Sequence, residues 1–327
     1  MDQLQSVTRP ASPDGASPDT TAATAAVEPP AQSQQPAAGS APGNPLKRAL
    51  RRRFGWIPPY ELRNKIRLGH TAVGLRRFEG AEVRRLRPGL PDGPAALVTT
   101  VIPTYRRPER LLEAIGSALA QTVHGQPADQ IVLVVDDGGG LPELPVDARV
   151  RAVSLRRNTA VAGVVRNVGV RLARSEFVAF LDDDNRWTPD HLEAALDELR
   201  SRPGDPVSGA RRPDGVYTAL VMTRPDGTEV GVLSEPYDRR AAREKSFLDT
   251  NTFVVRRSRA VRFSRLRRTR EVMPREDWEL MYRFGRRHRL VHVPRQTVRY
   301  LVNPDAYFTN WESGSGPGRA GEAGLPT

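Results

Sequence analysis

The 327-residue sequence contains no cysteine, which excludes a disulfide framework, a thiolate zinc site and a thiol nucleophile, and agrees with a reducing compartment. Histidine is scarce too, with five scattered residues. No segment approaches the roughly 20 apolar residues that a membrane-spanning helix needs, and the amino terminus lacks the basic start and apolar stretch of a secretory signal. The expectation is a soluble, cytoplasmic protein. Hydrophobic residues make up 38% of the chain because polar segments dilute the core, leaving room for one large domain or two ordinary ones.

What the chain has in excess is positive charge, +12 at pH 7. Much of it lies in "LKRALRRRFGW" and "LRNKIRLGHTAVGLRRF", where arginines and lysines alternate with leucine, isoleucine and aromatic residues. Basic amphipathic stretches of this kind lie on anionic lipid or neutralise nucleic-acid phosphates. The blander reading is a solvated face packed on the main domain. Nucleic acid is not expected as a partner, since it calls for basic and aromatic residues on the sheet rather than acids at the strand ends. The functional expectation for residues 46–90 is peripheral contact with the anionic inner face of the plasma membrane.

Composition divides the chain. Residues 1–45 are Ala, Pro, Ser, Thr, Gln and Gly with almost no large apolar side chain, which predicts a disordered tail. Residues 46–95 form a basic helical extension, expected as two short helices interrupted by Pro58-Pro59. Residues 96–302 alternate strand and helix signals, and 303–327 form a second polar tail. "ALVTTVIP", "QIVLVVDD", "VRAVSL" and "EFVAFL" read as buried strands. "RPERLLEAIGSALAQTV", "VAGVVRNVGVRLA" and "TPDHLEAALDELRS" read as helices, the last capped by Thr188 with Pro189 at its first position. This alternation predicts an α/β fold with a mostly parallel, Rossmann-like sheet covered by helices on both faces. A smaller mixed part follows: a hairpin across Arg224-Pro225-Asp226-Gly227, a strand "TFVVRR", a helix "DWELMYRFGRR" and two short strands, "LVHVP" and "TVRYLV".

In such sheets ligands bind beyond the carboxyl ends of the strands. The first, second and fourth strands end in Pro103-Thr104-Tyr105, Asp136-Asp137-Gly138 and Asp182-Asp183-Asp184. Two carboxylates about 4 Å apart repel by roughly 4 kcal/mol at the effective dielectric near a protein surface. Three aspartates in a row therefore call for positive charge, and a hard dication, Mg²⁺ or Mn²⁺, suits them. One acid would satisfy the dipole of the helix that follows; three exceed that need. The pair in "VVDDGGG" by itself reads equally well as turn chemistry. His191 and His292 read as structural histidines, and Trp187 and Trp278 as core, with Trp278 also placed to line an acceptor pocket.

The segments "VTTVIPTYRRPERLLEAIGSALAQT", "QIVLVVDDG", "NTAVAGVVRNVGVRLARSEFVAFLDDDNRWTP" and "REDWEL" resemble, in order and rough spacing, the motifs of the family 2 glycosyltransferases. The resemblance covers about 97–302. It implies the GT-A fold with its mixed acceptor-side part, and an inverting enzyme moving a sugar from a nucleotide-sugar donor, most commonly a UDP-sugar, to a hydroxyl acceptor: a glycan, a lipid-linked saccharide or a metabolite. Carried over by residue, Pro103 and Thr104 lead into Tyr105, which stacks on the nucleotide base, and Asp137 hydrogen-bonds to that base. Arg166 reaches the diphosphate, Asp183 lies near the ribose or donor sugar, and Asp184 with Asp182 binds the metal. Asp277 is the catalytic base.

The chain departs from the family pattern at Arg106 (most often Asn), Gly139-Gly140 (usually Ser), Asn185 (often acidic), the valines before Arg166 (commonly Ala) and the spacing from Asn158 to Arg166. These departures bear on donor preference. A sugar nucleotidyltransferase would share sheet and metal but open with a glycine-rich phosphate loop, and "IPTYRRPER" has no glycine. A basic nucleic-acid or membrane-binding module built on an inactive GT-A domain is disfavoured because metal ligand and base are both present.

Overall fold

Apolar residues alternate between two cores along each central strand. In the first strand Val98 and Ile102 face one core and Val101 the other; in the second, Val132 and Val134 oppose Leu133 and Val135. Such alternation of large apolar residues to both sides requires a sheet covered on both faces. The computed structural model describes residues 45–91, 96–201, 212–269 and 274–302. The expected tails lie outside the described residues, except for Pro45, which begins the first helix.

In chain order, helices α1 (Pro45–Phe54) and α2 (Ile57–Leu86) precede β1 (Val98–Thr104), α3 (Pro108–Leu119), the small ribbon β2 (Thr122–Val123) and β3 (Gln126–Pro127), β4 (Gln130–Asp136) and β5 (Val150–Ser154). Then come α4 (Ala162–Leu172), β6 (Phe177–Phe180), β7 (Arg186–Trp187), α5 (His191–Arg200), β8 (Gly215–Thr223), β9 (Glu229–Leu233), β10 (Phe253–Arg256), α6 (Glu276–Gly285) and β11 (Leu290–Leu301). Among the described residues one nine-stranded sheet runs β5-β4-β1-β6-β10-β8-β11-β7, with β9 on β8. β5, β4, β1 and β6 are parallel, β10 is antiparallel to both its neighbours, and β11 runs parallel to β8. The parallel half followed by a mixed half matches the expected class. Cores built on α3 and α5 on one face, and on α4, α6 and the Val83 end of α2 on the other, enclose the sheet.

Three details differ from the sequence-based expectation. The break between α1 and α2 falls at Gly55-Trp56, because Gly55 has φ +78° and a Cβ there would lie 2.3 Å from Cβ of Arg243; Pro58 and Pro59 sit in the first turn of α2, where a missing N–H costs nothing. The helix after the aspartates starts at His191 rather than Pro189, with the Thr188 hydroxyl donating to Asp190. "LVHVP" and "TVRYLV" form the single strand β11, whose register shifts between Val293 and Val298. Pro294 lies in that irregular stretch, as a residue without an N–H must within a paired strand.

α2 is anchored by buried acids. Glu79 and Glu82 have no exposed surface. Glu79 accepts from Arg265 Nε at 2.5 Å and Nη2 at 2.7 Å, from Arg171 at 3.2 Å and from the Asn167 amide at 3.2 Å. Glu82 accepts from Arg156 Nε at 2.7 Å and from Arg85. The basic extension thus meets an arginine-rich domain through its few carboxylates. Trp56 stacks between Tyr60 and Trp278 with centroids 4.2 and 4.9 Å apart, and the Trp278 indole donates to the Ala242 carbonyl at 2.8 Å. Breaking a buried ion pair from one side leaves the other charge stranded. Glu79→Ala is therefore expected to lower unfolding free energy by about 3 kcal/mol in urea titrations, and a change within experimental error would show that α2 does not depend on this anchor.

Candidate active site

The parallel pairing sets the site. Register places Thr104 of β1 beside Asp136 of β4 and Val101 beside Phe180 of β6, so the segments beyond these strands emerge together. The Asp137 N–H donates to the Thr104 carbonyl at 2.9 Å and Leu181 N–H to Val101 at 3.1 Å.

Within the acidic run each aspartate has its own environment. Asp183 is buried and held at both oxygens: the Thr104 hydroxyl donates to Oδ2 at 2.8 Å and Arg107 Nη1 to Oδ1 at 3.0 Å. Burial, the charge of Asp184 and the opposing Arg107 leave its carboxyl raised to about 6. The same Arg107 nitrogen donates to Asp184 Oδ2 at 2.9 Å, and burial together with Asp182 raises the Asp184 carboxyl. Asp182 accepts from Arg166 Nη2 at 2.5 Å. The two counterions differ in kind. Arg166 is 8% exposed and Arg107 45%, so the first is fixed while the second can turn away. Burial disfavours the Arg166 charge, but Asp182 and Glu276 more than offset this and raise its pKa. Its Nε is buried without a hydrogen-bond partner.

Asp137 accepts the Thr159 N–H and hydroxyl, both at 2.9 Å on Oδ1, and the Ala160 N–H at 3.1 Å on Oδ2. Burial is the main cause of its raised pKa. The glycines after it serve packing: Gly138 has φ +77°, and a Cβ would lie 2.6 Å from the Arg157 carbonyl carbon, while one on Gly139 would lie 2.9 Å from both Tyr105 and Arg106. Tyr105 is 37% exposed, with the Arg106 guanidinium 5.2 Å from its ring centroid. Asp277, in the first turn of α6, accepts the Trp278 N–H at 2.7 Å on Oδ1. Its charge is felt by Arg166 and by Asp249, so it belongs to the same electrostatic group as Asp182.

Several residues of the site were not singled out from sequence. Asn251, fully buried, accepts the Asp182 N–H on Oδ1 at 2.6 Å and donates through Nδ2 to Asp182 Oδ2 at 3.1 Å and Asp249 Oδ1 at 2.5 Å. Its carbonyl accepts the Trp187 indole at 2.8 Å. Asp249 is raised to about 7 by burial and then by Asp182. Arg107 and Glu276, the latter 3.7 Å from Arg166, complete the group. Their signal was weak: a polar "DTNT" leading into a buried strand, and a second arginine beside Tyr105. His191 is buried, held neutral by burial with its pKa lowered to about 3, and stacks on Trp187 at 4.2 Å; it takes no part in the group.

Among the described residues no cluster of three or more His, Asp or Glu side chains is arranged as a metal cage. The donor set does fit a hard dication of the kind that takes one or two protein carboxylates and completes its shell with substrate oxygens, since Asp182 and Asp184 retain 26% and 27% exposure.

The fold is a mixed α/β sheet covered on both faces, with acids and an aromatic gathered at the carboxyl ends of its parallel strands, as expected for the GT-A class. The family model described as glycosyl transferase family 2 matches residues 99–268, just over half of the chain, and the chain belongs to that family. The succinoglycan biosynthesis protein ExoW of Rhizobium meliloti (strain 1021) is 41% identical over 32% of this chain and 34% of its own length. The putative teichuronic acid biosynthesis glycosyltransferase TuaG of Bacillus subtilis (strain 168) is 30% identical over 32% and 43%. The poly(ribitol-phosphate) beta-N-acetylglucosaminyltransferase TarP of Staphylococcus aureus (strain N315) is 32% identical over 31% of both. The match thus spans between about a third and under half the length of these relatives. Among solved structures, S. aureus TarS 1-349 in complex with UDP-GlcNAc aligns with a TM-score of 0.47 and 18% identity over 63% of this chain and 58% of that one.

Asp249→Asn tests the electrostatics of the group. The folded chain holds the Asp249 proton up to about pH 7, whereas an unfolded carboxyl releases it near pH 4. Its contribution to stability is therefore full below about pH 4 and lost as pH rises through about 7. The stability advantage of Asp249→Asn over the parent is expected to grow by about 2.5 kcal/mol between roughly pH 5 and pH 8. Parallel stability curves across that range would contradict the assignment.

Proposed function

We propose that the protein is an inverting glycosyltransferase that moves a sugar from a nucleoside-diphosphate donor to a hydroxyl of a polysaccharide-type acceptor. The observation that carries this reading is the gathering of Tyr105, Asp137, Arg166, Asp182, Asp183 and Asp184 around the ends of β1, β4 and β6, on a chain of family 2. The names of the relatives, in succinoglycan, teichuronic acid and poly(ribitol-phosphate) glycosylation, support the acceptor class.

Each side chain has a chemical task in this scheme. The exposed Tyr105 ring, with Pro103 and Thr104 fixing the strand end behind it, offers a face for stacking the base. Asp137 Oδ2 accepts one hydrogen bond and keeps capacity for another, suited to the N3–H of uracil and hence to a UDP-sugar. Asp183, clamped by Thr104 and Arg107, orients the ribose or donor sugar. Arg166 holds positive charge toward the departing diphosphate, and half-exposed Arg107 is free to turn to the same group. A hard dication, Mg²⁺ or Mn²⁺, held by Asp184 and Asp182, would add charge stabilisation on the leaving diphosphate. Asp277 takes the proton of the acceptor hydroxyl as its oxygen bonds to the anomeric carbon and the bond from that carbon to the diphosphate breaks. One such carboxylate means a single displacement, hence inversion.

The test separates binding from chemistry. UDP, GDP, dTDP and CMP compounds are screened by thermal shift with and without Mn²⁺, then the stabilising sugar nucleotide is assayed for transfer. Asp184→Ala is expected to lose the metal-dependent shift. Asp277→Asn is expected to keep it while transfer falls by about 10²- to 10⁴-fold, the usual weight of a general base. A parent protein stabilised by none of the nucleotides would remove the proposal, as would an Asp277→Asn variant with unchanged turnover.

A further inference from the structure

The side of α2 turned away from the sheet carries features that the site does not use. Leu62, Ile66 and Val73 are 59%, 76% and 53% exposed. At 100° per residue their spacing sets them within about 40° of one another on the helix, opposite the buried Glu61, Leu68 and Glu79. Arg63, Arg67 and Arg77 flank this ridge, and none has an ion-pair partner among the described residues. Leu50 and Phe54 of α1 are exposed as well, so five of the nine large hydrophobic side chains exposed among the described residues lie on these two helices.

Beside the ridge runs a groove. Gly69, Val73 and Arg76 of α2 form one wall, and the 262–266 segment with Arg283 of α6 forms the other. Two further hollows continue it, one toward Arg287 and one toward Arg259, and Arg262 borders all three. The carboxylates within reach are already engaged: Glu79 by Arg171 and Arg265, Glu279 by Lys65 and Arg283. None of Arg76, Arg259, Arg262 and Arg287 has a carboxylate within ion-pair distance among the described residues, and of the four Arg262 feels Glu279, which Lys65 and Arg283 already engage. Burial and the surrounding Arg283, Arg265 and Arg76 depress the Arg262 pKa. An anion in the groove would relieve that repulsion.

We propose that this face docks on an anionic phospholipid bilayer, with the Arg262 groove taking headgroup phosphates and Leu62, Ile66 and Val73 entering the acyl boundary. Phosphate chemistry by itself suits a soluble anion equally well. What selects lipid is that Val73 belongs to both ridge and groove, which puts apolar contact next to the anion site, and a soluble phosphate would leave that ridge in water. Nucleic acid would leave it in water too, and reads best with aromatic rings beside the charge, which the groove walls between Gly69 and Arg283 do not expose. The surface is separate from Asp277 and the acidic run, so it adds to the proposed reaction without depending on it.

The test is co-sedimentation of the full chain with vesicles of phosphatidylcholine alone or with 30% (about one lipid in three) phosphatidylglycerol, near 0.1 M salt. Binding is expected only to the anionic vesicles and is expected to weaken as salt rises. Each arginine near a bilayer is worth about fivefold in partitioning, so Arg259→Gln with Arg287→Gln should reduce it roughly 25-fold. Leu62→Ser with Ile66→Ser should reduce it at least tenfold at unchanged charge, on the order of two buried aliphatic side chains. Circular dichroism and melting temperature monitor folding of both double variants, whose altered side chains are on the surface. Equal binding to neutral vesicles, wild-type partitioning by either variant, or stabilisation by inorganic phosphate with no vesicle binding would overturn the proposal. So would tighter retention on duplex DNA than on the anionic vesicles.

Discussion

The structure depends on how mutual repulsion among carboxylates is contained where β1 and β6 end. Asp182, Asp183 and Asp184 follow directly on a buried strand, with Asp249 beneath them and Glu276 and Asp277 arriving on α6. Unscreened, such a group would push the strand ends apart by several kcal/mol. Two arginines prevent this. Arg166, buried on α4, is locked to Asp182, while Arg107 at the start of α3 bridges Asp183 and Asp184 from the solvent side. Asp249 adds the other available remedy, retaining its proton to about pH 7. The fixed and the movable cation have different consequences: one keeps the cleft assembled, and the other leaves its carboxylates able to exchange partners.

The fixed cation is itself held by the rest of the fold. Asn167, next to Arg166, is clamped by the backbone of Phe263 on both its amide atoms and by Glu79 of α2. Gly169, one turn further, lets α4 lie against β1 so closely that a Cβ would meet Val101 at 2.4 Å. The extension before the sheet therefore takes part in positioning the acidic cleft. A chain of contacts runs from Glu79 through Asn167 to the helix that carries Arg166 and so to Asp182. The aromatic stack of Tyr60, Trp56 and Trp278 makes a second link, from the same extension to the helix that carries Asp277.

Much of this is legible in the amino-acid sequence. Continuous apolar runs marked the parallel strands, and one polar-aromatic and two acidic strand ends marked the candidate site, because strand ends in a parallel sheet have only one place to converge. Arg166 was singled out only through the family resemblance, and neither its pairing with Asp182 nor Arg107 opposite Asp183 and Asp184 was legible. Lone cations in a chain with 50 lysines and arginines give no periodic signal, and partners 76 residues apart, such as Arg107 and Asp183, are joined only by sheet register. Asn251 was invisible for the same reason, since its contacts to Asp182 come from the antiparallel return of β10 against β6. The helix break was misplaced onto Pro58-Pro59 because proline signals locally, whereas Gly55 is required by a tertiary approach to Arg243.

The basic character of the chain likewise resolves into separate parts once the fold is known. Arg171, Arg265 and Arg156 are structural counterions to the buried acids of α2, and Arg107 and Arg166 to those of the cleft. Among the described cations without an ion-pair partner, Arg76, Arg259, Arg262 and Arg287 gather about the groove and Arg63, Arg67 and Arg77 run along α2, while others such as Arg151 and Arg200 are scattered over the sheet edge and α5. Net charge read from composition could not separate these groups, because an arginine facing Glu79 and one facing water count alike. Only the partner determines whether a cation stabilises the fold or remains available to an outside anion.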